Sequence, residues 1–325
     1  MKFEKLLKGI LKYKHEIDQL SQRIGVSRIS LYIDCIWSYL RWGCVLNHYI
    51  HGHFYKLRRY ERNRAFTLRE WNRIITKAND GDVIHYMKNK VDFNIFYSEY
   101  IKRDWLYSKT MTYEEFASFV QKHDSAIVKP MSGLEGDGVQ LVNFTGSINV
   151  NALFGKYVAE DVLIEEKIIQ HPNMVFGNKS VNTIRAYTIY DDKTTNVYLL
   201  KTVIRVGIGE SIVDNSHSGG CAYEIDKSTG YIISPSYCAN GLITYIHPGT
   251  EICMLGKKIP YWDDVVEICK KAAMKLPKCR FIGWDVAITE EGPLLIEGNH
   301  TPDLDMVEFV GSHGYKNIIR EHLHI

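Results

Sequence analysis

The spacing of apolar residues over the first 80 positions is that of helices. Between positions 2 and 20, one face of a predicted helix carries Phe3, Leu6, Leu7, Ile10 and Leu11. Ser27 stands where it would cap a second helix that runs to Trp42. A polar turn that contains glycine, at 79–82, then ends the pattern. We therefore predict a mainly helical region over residues 1–80.

Beyond this turn, short apolar runs separated by polar turns predict strands. Thr112 and Glu115 form a capping box that opens one helix. The predicted strands are 126–129, 139–144, 162–169, 181–190, 196–205, 221–225 and 231–234. A last amphipathic helix is predicted over 261–276. Strands mixed with helices in this way indicate an α+β protein.

Near the carboxyl end, two apolar runs flank a Glu-Glu-Gly-Pro turn and predict a hairpin over 281–299. Glu297 and Asn299 would point to the same face of its second strand, because side chains two apart in a strand share a face. Pairing of the two strands would bring Asp285 beside them. Two carboxylates and an amide oxygen suit Mg²⁺. The alternative is an ordinary hairpin with acids at its solvated ends.

A glycine-rich segment, 131–139, lies between two predicted strands. It contains Ser132, Gly133, Gly136 and Gly138 and follows Lys129 directly. Glycines let backbone N–H groups approach phosphates closely, and the lysine would neutralise phosphate charge. Because a strand follows rather than a helix, the segment fits a phosphate lid better than a Rossmann or Walker loop. The alternative is a flexible hairpin turn.

Two neighbouring predicted strands carry three cations, Arg185, Lys201 and Arg205, which are candidates for holding an anionic group during catalysis. The alternative, favoured if the neighbouring motifs were absent, is a set of solvated surface charges. The loop 207–220 that follows is rich in Gly, Ser, Asp and Asn. Its candidate substrate contacts are Asp214, Asn215, His217, Gly219 and Gly220.

Composition indicates a globular chain without a membrane span. The 325 residues are 45% hydrophobic and 24% charged, and no run of about 18 uninterrupted apolar residues occurs. The start of the sequence lacks the pattern of a secretory signal. Seven cysteines, an odd number without a Cys-x-x-Cys pair, predict reduced thiols in a cytoplasmic protein.

The small net charge of +2 conceals an asymmetry. Residues 1–75 hold 15 of the 40 Lys and Arg but only 6 of the 38 Asp and Glu. Such a basic unit would suit an anionic surface, such as the inner face of a membrane or a phosphorylated lipid. The alternative is a solvated helical face that also packs on the acidic remainder. Nothing in the pattern indicates a nucleic-acid partner, and the oligomeric state is not predicted.

The order of these features resembles the ATP-grasp superfamily. Four features follow one another over residues 90–303: Lys129, the glycine-rich segment, the strand at 165–169, and the set Asp285, Glu297 and Asn299. A closer resemblance is to the sugar-transfer associated ATP-grasp proteins of cell-surface polysaccharide biosynthesis. The stretches that carry it are 60–72, 180–189, 214–220 and 283–299. The resemblance implies an ATP-grasp domain over 81–325, in which a lid at 110–170 and a metal-binding lobe at 171–325 hold ATP between them.

The resemblance also implies roles for individual residues around ATP. Lys129 would contact the α- and β-phosphates together with Lys90, for which Lys88 competes. Backbone groups of Lys167 and Ile169, in the hinge strand that begins at Glu166, would read the adenine edge. His171 or Asn173 would contact the ribose, where the family more often has an acid.

For the metal and the reacting groups, the resemblance implies that Asp285, Glu297 and Asn299 bind Mg²⁺, with two ions expected and Glu297 bridging them. Arg185 would lie near the γ-phosphate and the acyl group.

The function implied is an ATP- and Mg²⁺-dependent carboxylate–amine ligase that works through an acyl phosphate. Its substrates would be a carboxylate and an amine, one of them part of a glycan or glycan precursor. One alternative is a kinase that phosphorylates a sugar or lipid hydroxyl. Another is an inactive nucleotide-binding scaffold that contacts the membrane or glycan-assembly enzymes through the basic helices.

Overall fold

The computed structural model describes residues 2–132, 138–146, 148–209, 220–238, 242–311 and 314–325, with side chains from residue 13 onward. The amino-terminal helices are α1 (Lys2–Ile24), α2 (Arg28–Trp42), α3 (Leu46–Ile50), α4 (Arg59–Arg64) and α5 (Leu68–Ala78). Helices α1 to α3 bury a small core of their own, which contains Ile17, Leu20 and Tyr49. The predicted helical region is confirmed.

Helix α5 belongs by its packing to the part that follows. Its apolar face, with Trp71 and Ile75, lies in the same hydrophobic cluster as Phe281 of the carboxyl-terminal hairpin. The indole of Trp71 donates to the carbonyl of Pro302 at 2.8 Å. Three short helices come next: α6 (His85–Lys88), α7 (Lys90–Phe96) and α8 (Ser98–Ile101).

A four-stranded antiparallel sheet forms the first β layer, in the order β1-β4-β2-β3. Its strands are β1 (Trp105–Tyr107), β2 (Ser125–Pro130), β3 (Gln140–Asn143) and β4 (Val162–Glu166). Helices α9 (Tyr113–Lys122) and α10 (Val150–Ala159) supply Phe116 and Tyr157 to its core. The predicted capping box is present, since Glu115 N donates to Thr112 Oγ1 at 3.2 Å and Thr112 N donates to Glu115 Oε2 at 2.8 Å. We call this unit the small sheet.

A seven-stranded antiparallel sheet forms the second layer, in the order β11-β10-β5-β6-β7-β8-β9. Its strands are β5 (Thr183–Asp191), β6 (Asn196–Val206), β7 (Cys221–Ile225), β8 (Ser236–Cys238), β9 (Ile243–Thr244), β10 (Phe281–Thr289) and β11 (Gly292–Asn299). Helix α11 (Trp262–Lys275) covers one face. Helices α5, α12 (Leu304–Glu308) and α13 (Lys316–Leu323) cover the other. This is the large sheet, and the α+β prediction is confirmed.

Two sequence-based expectations fail in the large sheet. The predicted strand 231–234 makes only single bridges among the described residues, Ile225 to Ile232 and Tyr231 to Lys258, and β8 takes the position beside β7. The prediction of reduced thiols is wrong for Cys221 and Cys238, which form a disulfide. The two lie opposite each other in the β7–β8 register with Cα atoms 4.2 Å apart, a proximity that residues 17 apart in sequence do not reveal.

In the part of the chain that the structure describes, no helix combines the length and the apolar character needed to cross a bilayer.

Candidate active site

The hairpin β10–β11 brings the three predicted metal ligands together. Asp285 lies directly opposite Glu297 in the antiparallel register, and Asn299 lies opposite Gly283. The amide Nδ2 of Asn299 donates to Glu297 Oε1 at 3.2 Å. The expectation that pairing would gather these oxygens at one place is therefore met by the geometry.

Asp285 is buried and held by two arginines from neighbouring strands. Arg185, opposite Asp285 in the β10–β5 register, donates through Nε to Oδ1 and through Nη2 to Oδ2 at 3.1 Å. Arg205 of β6 donates through Nη2 to Oδ2 at 2.8 Å. Burial alone would raise the pKa of Asp285, but the two guanidinium charges lower it below its ordinary value. The carboxylate is therefore ionised and fixed in position.

The same two arginines reach beyond Asp285. Arg185 donates through Nη1 to Asp303 Oδ2 at 3.0 Å, and Arg205 donates to the hydroxyl of Thr183 at 2.8 Å. Arg185 and Arg205 thus belong to one network with the acidic set, as their assignment to the catalytic group requires.

Glu297 differs from Asp285 in its surroundings. Its side chain is exposed on one side, while protein groups enclose it on the others. The pKa of Glu297 is raised by the loss of surrounding water and then by the negative charge of Asp285. The carboxylates of Asp285 and Glu297 face each other, and the space on the exposed side of Glu297 is open to solvent. A cation placed in that space would favour the ionised form of Glu297.

On the side of the small sheet, Glu165 of β4 collects three nitrogen donors. Lys129 of β2 forms an ion pair with Oε2, Arg103 donates to Oε1 at 2.6 Å, and Asn94 donates to Oε1 at 3.2 Å. Burial by itself would raise the pKa of Glu165, but the charges of Arg103 and Lys129 lower it to about 2. Arg103 also donates to the carbonyl of Leu295 in β11 at 2.6 Å. This cluster therefore ties the small sheet to the hairpin.

Sequence reasoning missed Arg103 and the role of Glu165. One signal was available, because Glu165 is an acid inside the apolar run Val162–Glu166, and a buried carboxylate requires a cation. The identity of that cation was not readable, since Arg103 is 62 residues away in sequence.

Lys90, rather than its competitor Lys88, reaches the space between the sheets. Its amine donates to the carbonyl of Pro130 at 3.1 Å, whereas Lys88 is exposed. The pKa of Lys90 is lowered from its ordinary value, mainly because the amine is partly buried. The negative charge of Glu297 acts to raise this pKa, and the positive charge of Lys129 acts to lower it. Lys90, Lys129 and Glu297 therefore act on one another electrostatically across the gap between the sheets.

Gly298 permits this approach of α7 to the hairpin. A Cβ atom at this position would lie 2.7 Å from the sulfur of Met87 and 3.1 Å from the ring of Phe93. A side chain there would push away the helices α6 and α7, and α7 begins with Lys90.

The remaining predicted nucleotide contacts are placed as follows. Strand β4 ends at Glu166, whose carboxylate accepts from the backbone N–H of Asp104 at 3.0 Å. Lys167 and Ile169 follow beyond the strand, both exposed. The Nδ1 atom of His171 accepts from the N–H of Asn173 at 3.1 Å, a local turn contact. A ribose contact for His171 or Asn173 stays a prediction.

The glycine-rich segment is described only at its ends. Ser132 and Gly138 are exposed, and Gly138 has a positive φ of 74° with the ring of Pro130 beside it. The predicted contacts Gly133 and Gly136 lie outside the described residues, as do Asp214, Asn215, His217 and Gly219. Gly220, the last of the predicted substrate contacts, is buried immediately before β7.

Lys201 is placed differently from the two arginines. Its buried amine donates to the carbonyl of Val307 at 2.8 Å and to that of Val310, at the end of α12. Burial lowers the pKa of Lys201 to about 8, although Glu224 and Glu308 raise it. These contacts make Lys201 an anchor for the carboxyl-terminal segment, which the cation pattern along β6 did not foresee.

Comparison with solved structures gives matches that are remote in sequence. The ATP-grasp ligase PsnB, solved with a minimal precursor, Mg and ADP, is 15% identical with a TM-score of 0.45, over 76% of this chain and 62% of that one. The ADP complex of purK, an N5-carboxyaminoimidazole ribonucleotide synthetase, is 8% identical with a TM-score of 0.47, over 75% and 53%. The D-alanine-D-alanine ligase from Coxiella burnetii is 11% identical with a TM-score of 0.38, over 67% and 49%.

The chain thus spans less than two thirds of the length of these solved proteins. No curated protein matches the sequence. The family model for sugar-transfer associated ATP-grasp, however, matches residues 70–322, from helix α5 to the last helix. The chain belongs to the sugar-transfer associated ATP-grasp family.

Proposed function

We propose that this protein is an ATP-dependent carboxylate–amine ligase that forms an amide through an acyl phosphate. The observation that carries the proposal is the pair of opposed charge groups between the two sheets. Lys90 and Lys129 stand on one side, and the acidic set of Asp285 and Glu297 stands on the other. Family membership agrees with this use of the site.

The residues present suit ATP and Mg²⁺ by their chemistry. Lys90 and Lys129 would hold phosphate oxygens, and Asp285, Glu297 and Asn299 would hold the metal through oxygen atoms alone. The fit rests on Glu297, whose ionised form is disfavoured by Asp285 and would be stabilised by a divalent cation. We expect two ions, with Glu297 between them. Bound Mg²⁺ would neutralise charge on the phosphates during transfer.

The chemistry begins with a substrate carboxylate. Amines do not displace an oxygen from a carboxylate at neutral pH, because the leaving group is too basic. Transfer of the γ-phosphoryl group from ATP to the carboxylate releases ADP and gives an acyl phosphate. An amine then attacks the acyl carbon, the C–O bond to phosphate breaks, and amide, phosphate and a proton result. Arg185 and Arg205 would hold anionic groups in line for these steps.

The substrates we propose come from glycan assembly. One of the two groups, the carboxylate or the amine, would belong to a sugar or glycan precursor, and the other to an amino acid or similar small molecule. The description of the family as sugar-transfer associated supports this assignment. No described contact selects among sugars, so the proposal names a class.

A hydroxylamine trap tests the reaction type. The protein is incubated with ATP, Mg²⁺, hydroxylamine and a panel of sugar acids and amino acids, and ADP and hydroxamate are measured together. A ligase gives equal amounts of ADP and hydroxamate with its own carboxylate, because hydroxylamine attacks the acyl phosphate. ADP release with a phosphorylated hydroxyl and no hydroxamate would instead establish a kinase. Absence of ATP turnover with every substrate, together with unchanged biological activity of Glu297→Ala, would establish a scaffold.

A further inference from the structure

Helix α2 exposes an unusually apolar surface. Five of its large apolar side chains are each between 57% and 72% exposed: Ile29, Ile33, Ile36, Trp37 and Leu40. At about 100° of rotation per residue, these five positions fall within an arc of about 100° on one side of the helix. A continuous apolar stripe of this kind on a surface helix usually marks an interaction site. We call it the α2 stripe.

Contacts on the opposite side of the helix fix this orientation. Asp34 of α2 forms a bidentate pair with Arg62, with distances of 2.7 and 2.8 Å, and accepts from the hydroxyl of Tyr49 at 2.7 Å. Arg62 also donates to the buried hydroxyl of Ser38 at 3.2 Å. The helix therefore turns its acid and its serine toward the protein and its isoleucines toward solvent. Rotating the stripe inward would break the ion pair, so the exposure is built into the fold.

The exposed charge of the helical region that carries the stripe has one sign. Between residues 13 and 75, ten of the eleven Lys and Arg are exposed, and the eleventh is Arg62. All five Asp and Glu in the same range are at least partly buried. Asp34 is held by Arg62, and Asp18 lies against Arg28. The exposed surface of this helical region is therefore positive as well as apolar.

We propose that the α2 stripe docks on the surface of a membrane that contains anionic phospholipids. Apolar side chains would enter the boundary between headgroups and acyl chains, with Trp37 and Tyr39 at the polar level and the exposed cations on lipid phosphates. Helix α2 has 15 residues, about 22 Å, which is too short to span a bilayer, so it would lie in the plane of the surface.

A second copy of the chain suits this surface less well. In a symmetric dimer through the α2 stripe, the same positive region would face itself, and like charges would oppose association. An anionic bilayer offers both an apolar layer and negative charge, which matches both properties of the region. Docking here would bring the ATP-grasp domain to a membrane-linked glycan precursor, but it does not depend on the proposed ligase reaction.

The experiment is flotation of the full-length protein with vesicles. Vesicles of phosphatidylcholine alone are compared with vesicles in which part of the phosphatidylcholine is replaced by phosphatidylglycerol, at low and high salt. The wild-type protein should float with the anionic vesicles, and binding should fall as salt rises. The triple variant Ile33→Ser, Trp37→Ser, Leu40→Ser should bind at least about tenfold more weakly.

A matched triple variant controls for the loss of exposed apolar side chains in general. This control variant replaces three residues of the ATP-grasp domain that are each 54% to 61% exposed: Ile95→Ser, Val175→Ser and Met274→Ser. This variant should bind anionic vesicles as the wild-type protein does. Circular dichroism and the midpoint of thermal unfolding show that each variant is folded.

Three results would overturn the proposal. The first is equal binding to neutral and anionic vesicles without salt dependence. The second is undiminished binding of the α2 variant. The third is no binding to either vesicle by a protein that forms dimers which the α2 variant abolishes, and this result would assign the stripe to a second copy. A failed hydroxylamine trap would leave the vesicle result intact, so the two proposals fail separately.

Discussion

Two glutamates near Lys129 occupy contrasting environments. Glu165 is buried and surrounded by donors from Asn94, Arg103 and Lys129, and its pKa falls to about 2. Glu297 is exposed on one side and faces the carboxylate of Asp285, and its pKa is raised. Both residues lie on strands of adjoining sheets, and both carry the same functional group. Direct ion pairs with Arg103 and Lys129 lower the pKa of Glu165. For Glu297, the loss of surrounding water and the facing carboxylate of Asp285 outweigh the charges of Arg185, Lys129 and Arg205.

The contrast separates two kinds of carboxylate, one that is paired with cations of the protein and one that faces another carboxylate. The charge of Glu165 is balanced inside the protein by two ion pairs, which hold Lys129 and Arg103 in place. The charge of Glu297 is only partly compensated by the neighbouring protein groups, and its pKa stays raised, so an external cation would favour its ionised form. A divalent cation beside Glu297 would lower its raised pKa, whereas Glu165 already has two cations beside it.

The largest expected effect is the loss of activity in Glu297→Gln. This change removes the carboxylate charge that would hold the metal, and we expect ATP turnover to fall by about a hundredfold or more. The free energy of unfolding should stay the same or rise, because burial and Asp285 disfavour the charged form of Glu297. ADP release and urea denaturation measure the two quantities.

Glu291→Gln is the matched control, since Glu291 is an exposed acid at the turn of the same hairpin. It should leave both quantities unchanged. If Glu297→Gln were much less stable than the wild type, the ionised carboxylate of Glu297 would stabilise the fold as that of Glu165 does. The contrast between the two glutamates would then be wrong.

The next effect is on stability, in Glu165→Gln. Because the folded pKa of Glu165 is about 2 and its ordinary value is 4.5, the ionised carboxylate stabilises the fold at any pH above about 4.5. This contribution is lost as the pH falls from about 4.5 toward 2. At neutral pH the variant should lose on the order of 3 kcal/mol of unfolding free energy. Urea denaturation at a series of pH values measures the loss.

The difference in stability between wild type and Glu165→Gln should therefore narrow in acid. Glu267→Gln serves as a control, because Glu267 forms an exposed ion pair with Lys271 on α11, and no measurable change is expected. A difference that stayed constant down to the lowest pH at which the protein folds would refute the assignment of a lowered pKa.

The smallest effect is expected for Lys201→Met. The amine of Lys201 donates to the buried carbonyls of Val307 and Val310, so its loss should cost on the order of 2 kcal/mol of unfolding free energy. ATP turnover per folded molecule should change by less than about twofold, in contrast to Glu297→Gln. Lys193→Met, an exposed lysine in the β5–β6 turn, is the control. A loss of turnover as large as that of Glu297→Gln would return Lys201 to the catalytic group.

Local patterns in the sequence predicted most of the elements that build the site. The hairpin over 281–299 was readable because alternating side chains and a turn with glycine determine it within 20 residues. The same locality explains the capping box at Thr112. The strand predicted at 231–234 failed because its residues make single bridges to Ile225 and to the distant Lys258, while β8 pairs with β7.

The sequence by itself determined which oxygen-bearing side chains lie together, because Asp285, Glu297 and Asn299 share one hairpin. Only the tertiary structure decided which charges surround them. Arg103 reaches Glu165 across 62 residues, and Arg185 reaches Asp285 across 100. In the tertiary structure, Lys201 also donates to a carbonyl of α12 rather than lying with the two arginines. The ion pair of Asp34 with Arg62 fixes helix α2 so that its apolar side faces solvent. A periodic pattern shows that a helix or strand has two faces, but the partner that packs on each face is set by contacts far apart in sequence.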